Sequence, residues 1–314
     1  MKNHMGKLGR VTMNKRKGLN MEQKRNLTGW AFLLPASILI FVFCFYPMVQ
    51  ALILSFQKGT GSAVQPAGFA NYARILKDAT FQQCLFNTIF YFVIQVPIML
   101  ILALILAQLL NSPDIKGKGI YRTMIFLPCA TSLVSYSMIF KSLFANDGLV
   151  NRVLSTVGIP TVDWFQNAWA ARWVIVIALI WRWTGYNMVF YLAGLQNIDY
   201  SIYEAARIDG ANPVQMFFRI KLPYLLSVQG PSLVTDFVKN VNNFNVIYLL
   251  TQDVFVTNNQ QLAQSNAKEI DLLVTWLFRL TQEYYNYKMA AVLGIMVFIV
   301  CAVFTVVCFH FINK

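Results

Sequence analysis

The sequence predicts an all-α, polytopic membrane protein with six transmembrane helices, and three observations carry that prediction. Of 314 residues, 57% are hydrophobic and only 12% charged, with a mean hydropathy of +0.51. Soluble chains average roughly 45–50% apolar and about 25% charged residues, so this one lacks the charge to cover a globular surface. Aromatic residues reach 15%, which suits rings placed at membrane–water boundaries. The apolar residues also gather in runs near the ~20 residues that a helix needs to cross the hydrocarbon.

In chain order the expected spans are 30–56, 88–110, 123–144, 173–195, 223–250 and 289–312. The first run is longer than the roughly 7–15 residues of a signal-peptide core, so it is expected to persist as an anchor. The fifth is the most polar, holding Gln229, Asp236, Lys239, Asn240, Asn242, Asn243 and Asn245. Without it, 196–288 would separate two spans with no recognisable soluble-domain pattern. The first outer connection contains a candidate short helix, 71–77, with Tyr72, Ile75 and Leu76 on one side, which fits either an interfacial helix or an ordinary loop helix packing on its neighbours.

Charge sets the expected orientation. Lys2, Lys7, Arg10, Lys15, Arg16, Lys17, Lys24 and Arg25 precede the first span against a single acid, Glu22. Basic flanks stay on the cytoplasmic side, so 1–29 is read as a basic cytoplasmic tail and 30–314 as the transmembrane domain. The connections 111–122 and 196–222 then face the cytoplasm as well. The net charge of +13 and pI near 9.6 do not make a nucleic-acid binder, because no aromatic residues interleave with the basic ones. The cysteines, Cys44, Cys84, Cys129, Cys301 and Cys308, are odd in number and form no C-x-x-C pair. They read as small buried hydrophobes. With His4 and His310 near opposite ends, no metal site is expected.

The connection between spans four and five is unusually ordered. Ser201 is placed to cap a helix, with Glu204 three residues later completing a capping box. Ala205 and Ala206 favour helix and leave a low surface. Gly210 can end the helix, and Asn212-Pro213 blocks its continuation. Two roles fit such an element: a tidy connector, or a surface against which another protein presses.

The order Glu204-Ala205-Ala206, then Gly210, then Ile220-x-Leu222-Pro223 resembles the EAA loop of binding-protein-dependent ABC importer permeases. Phe32-Leu33-Leu34-Pro35, Gly68-Phe69-Ala70-Asn71-Tyr72, Asn87-Thr88, Trp183-Thr184-Gly185-Tyr186, Ala193-Gly194-Leu195-Gln196, Asn242-Asn243-Phe244 and Leu249-Leu250-Thr251 are similar to stretches of maltose/oligosaccharide-type sugar permeases. One stretch departs: 253–266, rich in Asn and Gln, stands where such permeases carry glycines. The resemblance implies a type I ABC importer permease fold in a bacterial cytoplasmic (inner) membrane. It implies coupling to separate ATPases through Glu204, Ala205, Ala206, Gly210 and Pro213, and import of a sugar, an oligosaccharide of maltodextrin or related type. The implied partners are a second homologous permease subunit, an ABC ATPase dimer, an extracytoplasmic solute-binding protein and membrane lipid. ATP and Mg would belong to the ATPases, leaving no cofactor in this chain.

Ionisable groups inside spans are costly and usually face a bundle interior or cavity. Arg182 and Asp236 fall near mid-depth on adjacent antiparallel spans, and Asp236 lies three residues before Lys239 on one face. Charge pairing that fixes packing and direct contact with substrate both fit. Asn240 and Asn243, also at i and i+3, carry amide donors and acceptors suited to sugar hydroxyls, or to bonds between helices. The resemblance implies a substrate site at Trp181, Gly185, Met188, Asp236, Asn240 and Asn243. The charged pair leaves open an acidic or amino-bearing oligosaccharide. No phosphate-binding G-x-x-x-x-G-K-[ST] motif or catalytic set occurs, so the chain is not read as an enzyme. A secondary transporter, the remaining alternative, would show internal repeats and paired broken helices.

Overall fold

The computed structural model describes residues 20–59, 64–251 and 269–312. The segment 253–266 and most of the basic tail lie outside them. The chain divides into two compact units, 1–50 and 51–314.

The first unit is helical throughout its described part. Helix α1 (Met21–Ile40) runs through a π-helical turn, Phe41–Phe45, into α2 (Tyr46–Ser55). Pro47 explains the turn. It has no N–H to donate and its ring crowds the carbonyl four residues back, so the ladder slips one residue wider just before it.

The second unit takes in the last residues of α2 and continues into a short antiparallel pairing of β1 (Gln57–Lys58) and β2 (Gln65–Pro66), with Gln57 opposite Pro66. The short helix expected at 71–77 is present as α3 (Ala70–Leu76). Asn71 donates to the carbonyls of Ser55 and Gln57 at 2.9 Å, and the Tyr72 hydroxyl lies 2.8 Å from Ser55 Oγ. Helix α4 (Ala79–Asn111) starts at Asp78, whose carboxylate accepts the Thr80 N–H at 2.8 Å. Its buried residues, among them Asn87, Tyr91, Gln95, Met99, Ala103 and Ala107, recur every three or four positions. That spacing gives one inward stripe on a helix whose other faces are apolar too.

The third predicted span is not one straight helix. Helices α5 (Lys118–Ala130) and α6 (Leu133–Leu143) meet at 96° across Thr131 and Ser132, both in extended conformations. After α7 (Leu149–Thr156), helix α8 (Ala168–Gln196) is capped by Asn167, which accepts from the Trp169 and Ala170 N–H groups. Helices α9 (Tyr200–Ile208) and α10 (Pro213–Met216) form the next connection. A second π-helical turn, Phe217–Lys221, leads into α11 (Leu222–Val241). Pro223 follows that turn as Pro47 follows the first, with the same steric cause.

The fifth predicted span is divided as well. Helix α11 stops at Val241, and α12 (Phe244–Thr251) begins beyond Asn242 and Asn243. Helices α13 (Leu273–Gln282) and α14 (Tyr287–Ile312) complete the described chain. By length and hydropathy, four described helices are suited to cross a membrane: α1 with α2, α4, α8 and α14; the bent α5–α6 pair makes a fifth. Helix α11 falls outside that group because polar residues such as Ser227, Ser232, Thr235, Asp236, Lys239 and Asn240 lower its hydropathy.

Three apolar clusters hold the second unit together. One joins α6, α8 and α12 through Tyr136, Phe140, Leu179 and Ile247. Another joins α3, α4, α11, α13 and α14 through Ile75, Phe81, Phe237, Trp276 and Leu293. The third joins α4, α8 and α11 through Ala107, Met188, Tyr191, Leu195 and Leu225. Between helices in lipid, van der Waals packing replaces the hydrophobic drive, and small residues such as Ala103 and Ala107 let α4 approach closely. Of the cysteines only Cys84 is fully buried; Cys44 is exposed and the other three are partly so. An apolar surface in contact with lipid costs a thiol nothing, so burial was too strong an expectation.

Candidate functional site: a docking loop and an intramembrane polar cleft

The connection between α8 and α11 is built as two capped helices. The start of α9 differs from expectation: the cap is Asp199, not Ser201, and its carboxylate accepts the Ser201 N–H at 3.0 Å. That bond holds the Asp199 carboxyl below the usual carboxylate range. An aspartate two residues upstream brings a full negative charge to the helix N-terminus, which a serine hydroxyl does not. The capping box appears instead at α10. Asn212 Oδ1 accepts the Gln215 N–H at 2.8 Å, and Gln215 Oε1 accepts the Asn212 N–H at 3.0 Å. Pro213 takes the first helical position, where a missing N–H costs nothing.

Helix α9 ends in a Schellman closure. Gly210 adopts φ +79°, the Ala211 N–H reaches the Ala206 carbonyl at 2.9 Å, and the Gly210 N–H reaches Arg207 at 3.1 Å. An L side chain at Gly210 would be strained. The helix has two faces: Glu204 and Ala205 are exposed, with Ile208 beside them at 85%, while Ala206 is buried. Tyr203 turns inward against the cluster of Leu195, Ile198 and Leu225, under the Lys221 ammonium at 5.5 Å from its ring. Helix α9 thus rests on α8 and α11 through Tyr203, and its other face is bare.

The second candidate lies where α4, α8 and α11 face each other. A narrow cleft with room for roughly one water molecule is lined by Gln95, Met99, Trp183, Asp236, Lys239, Asn240 and Asn243, among others. Asn240 donates to Gln95 Oε1 at 2.8 Å, and Gln95 to Met99 Sδ at 3.3 Å. The Lys239 ammonium sits 3.8 Å from the Tyr186 ring centroid and 4.7 Å from that of Trp183. Of the six residues expected at substrate, the structure therefore brings three together: Asp236, Asn240 and Asn243.

The other three lie elsewhere. Trp181 stacks on Tyr136 at 5.9 Å and meets Phe140 at 5.6 Å, on the α6 side of α8. Met188 is fully buried in the α4–α8–α11 cluster. Gly185 is a packing position, since a Cβ there would fall 2.0 Å from the Ile125 carbonyl oxygen of α5. Spacing on one helix could not separate these faces, because residues 181–188 span two full turns.

The Arg182–Asp236 pairing is also not formed. Arg182 donates to the carbonyls of Thr131, Cys129 and Pro128 at 3.2, 3.3 and 3.4 Å. Its guanidinium lies over the rings of Tyr136 and Trp183 at 5.3 and 5.6 Å. The break between α5 and α6 leaves helix-end carbonyls inside the protein, and a cation suits that negative end. A second such clamp stands near the start of α8. There Arg172 donates to Asn87 Oδ1 at 3.0 Å and to the Glu269 carbonyl at 2.6 Å, while Asn87 bonds the Glu269 and Asp271 carbonyls. Asp271 pairs with Arg279 at 3.0 Å.

Gln95 and Asn187, buried at 4% and 0% exposure, were not singled out from sequence. Both are amides inside apolar runs, which is the signal that marks a functional interior position. Among the described residues no group of His, Cys, Asp or Glu is arranged to hold a metal.

Residues 79–313, from the first turn of α4 almost to the C-terminus, match the family described as binding-protein-dependent transport system inner membrane component. The chain belongs to that family. It is a permease subunit of an ABC importer, a multi-pass membrane component and not an enzyme. Its similarity to the lactose transport system permease protein LacF of Rhizobium radiobacter is 43% identity over 78% of this chain and 83% of the relative. The arabinooligosaccharides transport system permease protein AraP of Bacillus subtilis is 31% identical over 88% of this chain and 86% of its own length. A crystal structure of a bacterial ABC transporter that imports the acidic polysaccharide alginate contains a chain of like fold. The TM-score is 0.76 and the identity 24%, over 93% of this permease and 97% of that chain. The type I importer permease fold follows from these matches.

Proposed function

We propose that this permease carries a neutral oligosaccharide across the inner membrane, driven by separate ATPases that press on α9. The relatives named for lactose and for arabinooligosaccharides support the substrate class. The domain 30–314, with the 1–29 tail and the 196–222 loop on the cytoplasmic side, would work with a second permease chain, an ATPase pair and an extracytoplasmic binding protein. ATP and Mg would be held by the ATPases.

The observation that carries the reading is how α9 is mounted. Its bare face presents Glu204, Ala205 and Ile208, while Tyr203 on the opposite face packs against Leu195 of α8 and Leu225 of α11. Those two helices also line the cleft of Trp183, Asp236, Lys239, Asn240 and Asn243. Force applied to α9 would therefore reach the cleft through packed side chains rather than through a flexible loop. Gly210 and Pro213 fix the shape that an ATPase groove would receive. Sugar would pass along Asp236, Asn240 and Asn243 when α4, α8 and α11 separate, since the cleft as it stands is too small for a saccharide. Trp181, Gly185 and Met188 would serve that motion as packing positions.

Substituting Asn240→Ala tests the site. Uptake of labelled oligosaccharide in cells should fall at least several-fold, while the amount of assembled complex in the membrane stays unchanged. An unaltered uptake rate would remove Asn240 from the pathway.

A further inference from the structure

The cleft between α4, α8 and α11 contains three polar atoms without a hydrogen-bond partner: Asp236 Oδ2, Lys239 Nζ and Asn240 Oδ1. Asp236 and Asn240 are 5% and 3% exposed, so water does not satisfy them freely. Buried polar groups are ordinarily paired, and an orphan needs an explanation. Asp236 and Lys239 stand one helical turn apart, yet the ammonium is not bonded to the carboxylate. It rests instead against the faces of Tyr186 and Trp183. The pair is therefore not closed on itself, as a purely structural ion pair would be.

Among the described residues lining the cleft, Asp236 and Lys239 alone are ionisable, and their charges cancel. Arg182 is occupied with the carbonyls at the α5–α6 break. We propose that Asp236 and Lys239 make the cleft a charge-balanced reader of neutral saccharides. The ammonium would leave the rings to donate to a sugar oxygen, and the carboxylate would accept from a sugar hydroxyl. A hydroxyl both donates and accepts, so one polyol satisfies all three orphaned atoms. A uronate drawn to Lys239 would be opposed by Asp236, and an amino sugar drawn to Asp236 would be opposed by Lys239, so neither gains a net attraction to offset the loss of its own hydration. The freed rings of Trp183 and Tyr186 would then cover the apolar face of the sugar.

This specificity rests on the reading of the cleft as the sugar site, and the experiment separates the two. The purified importer complex, held with a non-hydrolysable ATP analogue and without binding protein, is titrated with lactose, maltotriose and arabinotriose. Disaccharides bearing glucuronic acid or glucosamine are titrated alongside. The wild-type complex should favour neutral sugars. Asp236→Asn should shift the neutral-to-uronate preference toward the uronate by about tenfold. Lys239→Gln should shift the neutral-to-amine preference toward the amine by a similar factor, and the double variant should restore neutral preference at lower affinity. Weakened binding with unchanged preferences in both single variants would overturn the charge-balance proposal alone. Absence of binding of every neutral sugar, or binding indifferent to Asp236→Asn, Lys239→Gln and Asn240→Ala, would overturn the sugar site itself.

Discussion

Replacing Gly185 by alanine separates two roles that one position on α8 was able to play. A Cβ at Gly185 would lie 2.0 Å from the Ile125 carbonyl oxygen, 2.7 Å from the Ile125 carbonyl carbon and 3.0 Å from the Phe126 Cα. Close carbon–oxygen contacts in proteins sit at about 3.3 Å or more, so the methyl is roughly 1.3 Å short of room. All three obstructing atoms are backbone, and no side-chain rotation can relieve them. Helix α5 must therefore move away from α8, disturbing the three carbonyls that Arg182 holds a few residues further on. Overpacking in well-filled interiors costs about 1–3 kcal/mol, occasionally more; with rigid backbone on one side, the upper end is expected. Thermal unfolding of the purified complex in detergent should show a clearly lowered midpoint, and the amount of complex in membranes should fall with it. A residue that lined the sugar path would behave differently, changing apparent affinity for sugar with the midpoint unmoved. A Gly185→Ala permease with wild-type midpoint and wild-type uptake would refute the close approach of α5 and α8.

Gly210→Val should weaken ATPase association and uptake together. A β-branched residue at φ +79° costs about 1–2 kcal/mol and removes the Schellman closure, whereas Gly210→Asn, which tolerates that region, should retain most activity. Pull-down of the ATPase with tagged permease reads both. Arg182→Met should destabilise the permease by about 1–3 kcal/mol, because the Pro128, Cys129 and Thr131 carbonyls lose their donor inside the membrane. Arg182→Lys should recover only part of the loss, since a compact ammonium does not span three carbonyls as a planar guanidinium does. Unfolding midpoints of the two variants check the order.

The legible parts of this protein were those written locally. Gly210 and Asn212-Pro213 announce the end of one helix and the start of another, because positive φ and a missing N–H are properties of single residues. Asp236 and Asn240 were recognisable as inward-facing because polar groups avoid lipid and an i, i+4 spacing puts two residues on one side of a helix. Asn243, expected one turn beyond Asn240 on the same face, instead lies past the end of α11 and reaches the cleft from the break before α12. The misplaced cap at Ser201 shows the limit of such local reading. Asp199 and Ser201 are both competent caps, and a two-residue shift in helix start decides between them.

Arg182 and Gly185 show what local reading could not supply. Two opposite charges at similar depth on neighbouring spans look like partners, but Arg182 turns to the α5–α6 break instead. The apolar run 123–144 is long enough for one continuous span, so the sequence shows no bare carbonyls for Arg182 to meet. Gly185 lay in a motif attributed to substrate, and only the approach of Ile125 from α5 assigns it to packing. Gln95 passed unnoticed within a long apolar run, although it holds the Asn240 amide.

By itself, the sequence determined that this chain lives in a membrane, that its apolar runs are helices, and that the 196–222 connection holds one short helix and the start of a second. Each follows from composition, period or the conformational limits of one residue. Only the tertiary structure decided which polar side chains share a cleft, where spans three and five break, and which helix faces touch. Those depend on rotation of one helix against another, and an apolar surface on every side leaves that rotation unspecified until backbones pack.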